Sequence, residues 1–146
     1  GITVHHLTAE IDAGDIVTQK RVYLPEGASS QESDRLLAHT GAALVINILN
    51  TADFTCKPQM GAGSHQSWPT EEDWHIPTDW TVQRAFNFMR GAGEWGHLFT
   101  LLSHQKTVTA RSAIDFSHSK STPGTLRLSR SGDHEMGFTN GWIQFR

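Results

Sequence analysis

The chain has 146 residues, a mass of 16.2 kDa and a formal net charge of −3, which suits one domain or two small ones. Hydrophobic residues make up 37% and charged residues 18%, the composition of a folded globular protein rather than a disordered one. No apolar run approaches the roughly 20 residues that cross a bilayer, no basic segment with an apolar core opens the chain, and the single cysteine, Cys56, excludes an internal disulfide framework and a cysteine-based zinc site. A reducing cytoplasm fits that cysteine usage. The charge is uneven. Residues 1–79 carry four Lys/Arg and eleven Asp/Glu, and residues 80–146 carry eight and four. That asymmetry predicts two modules, the second able to meet a polyanion.

Residues 1–19 read as strand, reversal, strand. Ile2, Val4 and Leu7 supply the first β-rich run, and Ile16 and Val17 begin the second. Between them, Gly14 is expected to take a positive φ and make the sharp turn, with Asp12 presented at the sheet edge. The second strand is predicted over 15–24, ending at Pro25. Ser29 with Glu32 has capping-box spacing, and a helix over residues 30–49 follows, apolar nearly all round towards its end. Gly41 and Ala42 would let it approach a sheet closely. Residues 50–80 show no periodicity and hold three of the five prolines, so a domain boundary is expected there. Trp68, Trp74 and Trp80 are expected to pin this segment to the folded surface.

Thr78 or Asp79 is the expected cap of a second helix, with Trp80, Val82, Ala85, Phe86, Phe88 and Met89 on its apolar face and Gly91 and Gly93 ending it. From residue 95, five short β runs are predicted at 98–102, 107–116, 124–128, 137–138 and 142–145, separated by turn signals that include Asn140-Gly141. Five strands at this spacing suit a small OB-like barrel. The nine histidines show no His-x-x-x-His spacing, and no metal site, Walker loop or Gly-x-Gly-x-x-Gly is expected.

The run Gly1, Ile2, Thr3, Val4, His5, then Ile11, Asp12, Gly14, Ile16 and Gln19 resembles a signature of the folate-dependent formyltransferases, which include methionyl-tRNA formyltransferase and several sugar-nucleotide formyltransferases. Pro58-Gln59, Gly63-Ser64-His65 and Asp79-Trp80 are similar in order to that family's linker, although His65 stands where the tRNA enzymes usually carry Tyr, and Thr78 stands where many relatives carry Ile. Asn87 and Gly91-Ala92 resemble the family's next segment without its two prolines. Pro123-Gly124-Thr125 and Asn140-Gly141-Trp142 resemble its closing part. The resemblance implies an α/β fold: residues 1–52 as the C-terminal portion of a Rossmann-like formyltransferase catalytic domain, 53–77 as a linker, and 78–146 as an OB-like β-barrel domain.

The resemblance also implies a chemistry. A formyl group moves from 10-formyltetrahydrofolate to an amine, through a tetrahedral oxyanion held by an asparagine and a histidine, with an aspartate paired to the histidine. Asp12 is the implied aspartate. Glu10, Ile11 and Asp12 would border the pterin pocket. His5, seven residues earlier, reads either as directed to the same cleft or as a packed strand histidine. The Asn-x-His pair and the missing N-terminal half of the catalytic domain are expected upstream of Gly1, so this chain is expected to be inactive alone. The acceptor is methionyl-tRNA or another amine such as an amino sugar nucleotide. The alternative is a non-catalytic module binding nucleic acid or protein, in which Asp12 only caps a turn.

Overall fold

In the computed structural model, all residues except Ala62, His65 and Gln105 are described; the comparison of His65 with Tyr therefore lies outside the described residues. The fold is mixed α/β with three sheets among the described residues. Two compact units are present: residues 1–25 with 31–66, and residues 26–30 with 67–146.

The first unit is built on a hairpin. Strands β1 (Ile2–His5) and β2 (Ile16–Lys20) pair antiparallel, with a register shift between Val4 and His5. Strand β2 is shorter than the 15–24 run suggests. Lys57 pairs with Ile16 through two backbone hydrogen bonds of 2.8 and 2.9 Å. Helix α1 (Ser30–Thr51) forms over the predicted span and two residues beyond. Its Gly41 leaves room for Ile2, whose Cγ1 lies 3.4 Å from where a Cβ would stand.

The second unit holds the hydrophobic core. Helix α2 (Val82–Ala92) places Val82, Ala85, Phe86 and Met89 against Phe99, Leu101, Met136, Phe138 and Ile143. The apolar spacing predicted this face. The cap was not Thr78 or Asp79: those residues belong to a turn closed by Trp80 N–H donating to the Pro77 carbonyl (3.2 Å), so Thr81 caps instead, its hydroxyl accepting from the Arg84 N–H at 3.3 Å. Of the two expected terminators, Gly91 lies inside the helix and Gly93 is its C-cap, in a right-handed conformation that lets the helical path go on. It continues as a 3-10 turn over Gly93–Trp95 and stops at Gly96, which has φ 81°.

Strands β3 (His75–Ile76), β4 (Phe99–Leu102) and β5 (Thr107–Ala110) make one sheet, with β3 and β4 parallel. Strands β6 (Ala113–Ser117), β9 (Gly141–Phe145), β8 (His134–Phe138) and β7 (Leu126–Leu128) make another, in that order and antiparallel throughout. Hydrogen bonding leaves these as two open sheets, with no closed barrel among the described residues.

The tryptophans divide. Trp74 is buried and stacks on His97 with ring centroids 4.4 Å apart, and Trp80 packs on the core beneath the Arg84 guanidinium, which lies 3.8 Å over its ring. Trp68, by contrast, is 87% exposed and pins nothing. Residues 26–30 are fastened to α2: the Gly27 N–H donates to Asn87 Oδ1 at 2.7 Å, the Gly27 carbonyl accepts from Arg90 Nε at 3.0 Å, and Gln83 bonds Glu26.

Candidate catalytic turn

The reversal between β1 and β2 carries all four residues singled out from sequence. His5 ends β1. Glu10, Ile11 and Asp12 follow in the exposed loop, with Ile11 93% exposed. His5 Nε2 lies 3.6 Å from Asp12 Oδ1, while His5 Nδ1 is 2.9 Å from the His6 carbonyl oxygen. The Asp12 side chain is 86% exposed. The structure thus brings His5 and Asp12 together and leaves Glu10 and Ile11 facing solvent.

The turn is not made as expected. Asp12, at φ 56°, is the left-handed residue, and Gly14 is not among the residues with positive φ. Aspartate tolerates this region better than most residues because its short polar side chain can bond locally. Gly14 is needed for another reason. A Cβ there would stand 1.7 Å from the His6 carbonyl oxygen, so only hydrogen fits where the two arms cross. Just beyond, the His6 N–H donates to the Asp15 carbonyl at 3.0 Å and closes the loop.

Gln59 is the residue of this site that sequence reasoning did not assign. Its Nε2 donates to the Asp12 carbonyl at 2.7 Å and to the Gly14 carbonyl at 2.8 Å, holding both sides of the left-handed bend. The Pro58-Gln59 dipeptide was visible, but a contact 47 residues away in sequence has no local signal. Beside it, an open groove of about 580 Å³ runs between β2 and the 57–60 segment, lined by Ile16, Val17, Gln19, Lys57, Gln59 and Met60. The half-buried Cys56 thiol donates to Asp15 Oδ2 at 3.6 Å; burial first, and then the Asp15 carboxylate, push its pKa up.

No family model matches the chain. Over 148 aligned positions it is 23% identical to the methionyl-tRNA formyltransferase of Acidobacterium capsulatum, covering 99% of this chain and 48% of that protein. Further methionyl-tRNA formyltransferases match at similar identity. The chain is thus similar in sequence to formyltransferases over most or nearly all of its length. It is also 27% identical, over 135 positions, to the bifunctional polymyxin resistance protein ArnA of Wigglesworthia glossinidia brevipalpis, covering 86% of the chain and 20% of that protein. It spans about half the length, or less, of these curated relatives. The fold is shared with HypX from Aquifex aeolicus, solved in complex with tetrahydrofolic acid, at a TM-score of 0.60 and 17% identity, over 98% of this chain and 26% of that one.

Among the described residues, no helix is long and apolar enough to cross a membrane.

Proposed function

We propose that the chain is part of a folate-dependent formyltransferase in which Asp12 is the catalytic carboxylate. The observation that carries this reading is the Asp12 turn itself: a left-handed, exposed aspartate clamped by Gln59 and faced by His5, within a sequence that matches formyltransferases. By the same reading, residues 1–52 are the C-terminal portion of a Rossmann-like catalytic domain and 53–77 a linker. Residues 78–146 are a small OB-like domain; its two open sheets are compatible with a partly open barrel.

The residues present suit a folate. Glu10 and Ile11 offer an exposed polar side chain and an exposed apolar one beside a carboxylate, the mixture by which a site grips a flat heteroaromatic ring. The HypX complex with tetrahydrofolic acid supports a folate on this fold. Bound 10-formyltetrahydrofolate would supply the formyl carbon. Asp12 would accept, directly or through water, the proton that the attacking amine loses as its nitrogen bonds to the formyl carbon; the bond from that carbon to the folate nitrogen would then break, and tetrahydrofolate would leave with a proton returned to that nitrogen. His5 keeps the carboxylate turned towards that proton. The Asn-His pair that holds the oxyanion comes from polypeptide other than residues 1–146. The acceptor is an amine, methionyl-tRNA or an amino sugar nucleotide, in line with the names of the tRNA enzymes and ArnA. The working compartment is the cytoplasm.

The test is formyl transfer by the assembled catalytic domain carrying Asp12→Asn. Loss of transfer with the fold intact supports the role of Asp12. Undiminished transfer removes it.

A further inference from the structure

The carboxylate of Asp12 has little of its own to hold it in place. It is 86% exposed, and among the described residues its one hydrogen-bond or ion-pair partner is His5 Nε2 at 3.6 Å, beyond normal hydrogen-bond length. Where the carboxylate stands is therefore set by the backbone beneath it. That backbone is left-handed, at φ 56°. Such a conformation is unfavourable for a residue with a Cβ and persists only where neighbouring structure imposes it.

Gln59 supplies that structure. Its Nε2 donates to the Asp12 carbonyl at 2.7 Å and to the Gly14 carbonyl at 2.8 Å. A side-chain amide carries two N–H donors on one nitrogen, which matches two carbonyls, one on either side of Ala13. The peptide bearing Gln59 is itself held in register. Lys57, two residues earlier, exchanges backbone hydrogen bonds of 2.8 and 2.9 Å with Ile16. Cys56 Sγ donates to Asp15 Oδ2 at 3.6 Å, and Pro58 has a ring-fixed φ. The amide thus reaches the bend already aligned, from a segment anchored independently along the start of β2. With its nitrogen engaged by two main-chain carbonyls, Gln59 has no donor left for a substrate.

We propose that Gln59 is a positioning residue for formyl transfer. It fixes the left-handed backbone of Asp12, and through it the place of the carboxylate, without touching the reacting atoms. The inference rests on the reading of Asp12 as the catalytic carboxylate. It assigns a role in the reaction to the stretch 56–59, which composition marks only as the beginning of an irregular segment. A shift of about 1 Å in a reacting group can cost about 10²-fold in rate, so a clamp on the bend acts on turnover rather than on substrate binding.

The experiment is a double-mutant cycle of Gln59→Met and Asp12→Asn in the assembled catalytic domain. Methionine keeps the length of glutamine, removes both donors and adds no charge. Transfer is measured from 10-formyltetrahydrofolate to whichever of methionyl-tRNA and an amino sugar nucleotide the unsubstituted protein uses. Gln59→Met is expected to lower kcat by about 10- to 100-fold, with the KM for the folate unchanged. In the Asp12→Asn background it is expected to cause no further loss, since a residue that acts only through Asp12 has nothing left to act on. Hydrogen exchange at the His6 N–H, which closes the same reversal on the Asp15 carbonyl, is expected to accelerate in Gln59→Met while the second unit is unchanged. Full kcat in Gln59→Met, a raised KM at unchanged kcat, a double variant that loses the product of the two single losses, or unaltered exchange at His6 overturns the proposal, and each leaves the catalytic reading of Asp12 standing. Undiminished transfer in Asp12→Asn alone is a different result: it removes the reading of Asp12 and the role of Gln59 with it.

Discussion

The imidazole of His5 stands 3.6 Å from the carboxylate of Asp12, across the reversal that joins the two strands of the first unit. At that distance the contact is an ion pair when the imidazole is protonated, not a normal hydrogen bond. Because Asp12 is 86% exposed, the pair contributes little to stability, and its value lies in orientation. Asp12→Asn should therefore leave the fold unchanged, since asparagine also accepts the left-handed backbone at this position. Formyl transfer by the assembled domain should fall by about 10²–10⁴-fold, the usual size of a general acid–base contribution. Circular dichroism together with a transfer assay checks both halves.

Gly14→Ala should open the same turn from within. The added methyl would meet the His6 carbonyl oxygen at 1.7 Å, and the obstacle is backbone, which cannot swing aside. The cost is on the order of 2–4 kcal/mol, in the range of local strain and disruptive point changes, and it falls on the hairpin. Hydrogen exchange at His6, whose N–H bonds the Asp15 carbonyl at 3.0 Å, should accelerate by a factor of about 10 or more. Exchange in the second unit should not change.

The sequence placed the reversal at residues 10–15 correctly because hydrophobic alternation and a glycine mark it, yet it assigned the wrong residue to the bend. Propensity favours Gly for positive φ. The crossing of the two arms claims Gly14, and the bend falls to Asp12. A similar limit applies in the second unit. The 107–116 run reads as one strand because its alternation continues, but it is broken at Arg111 and Ser112. Their N–H groups both donate to the Arg146 carbonyl, at 2.6 and 3.2 Å, and Ser112 accepts in return from Arg146. Only a partner 35 residues away reveals that break. Strand β8 begins at His134 rather than Gly137 because Glu135 is held across to Arg127 on the neighbouring strand, its carboxylate 2.6 Å from Nε. Polar residues in an edge pair carry no hydrophobic signal. Helix α2 was legible throughout its buried face, since that signal is local and periodic.

Asn140 gives a test of the second unit. Its Oδ1 accepts from the Val82 N–H at 2.8 Å, satisfying one of the open donors at the start of α2 from a turn 58 residues away. It shares the two-residue loop 139–140 between β8 and β9, with Phe138 opposite Gly141. Asn140→Ala removes that acceptor from a half-buried place and should cost about 1–2 kcal/mol. Asn140→Asp should keep most of the stability that Asn140→Ala loses, because a carboxylate also accepts from the Val82 N–H and is favourable near a helix start. Urea denaturation followed by tryptophan fluorescence separates the two variants.

Cys56 offers a pH-dependent readout in the first unit. Burial raises its thiol pKa, and the Asp15 carboxylate accepting from Sγ raises it further. An unfolded cysteine titrates near 8.5. Above that pH the unfolded chain loses the thiol proton while the folded one keeps it, so the unfolded state binds fewer protons and stability falls as pH rises. Below it both states are protonated and the thiol contributes no pH dependence. Alkylation follows the same order, because the thiolate is the nucleophile. The rate with iodoacetamide should rise with pH along a curve displaced upward from that of the urea-unfolded chain. Asp15→Asn should move the curve down without closing the gap, since burial, the larger cause, remains. A curve that coincides with the unfolded chain's before any substitution would show that the packing of Cys56 beside Asp15 does not persist in solution.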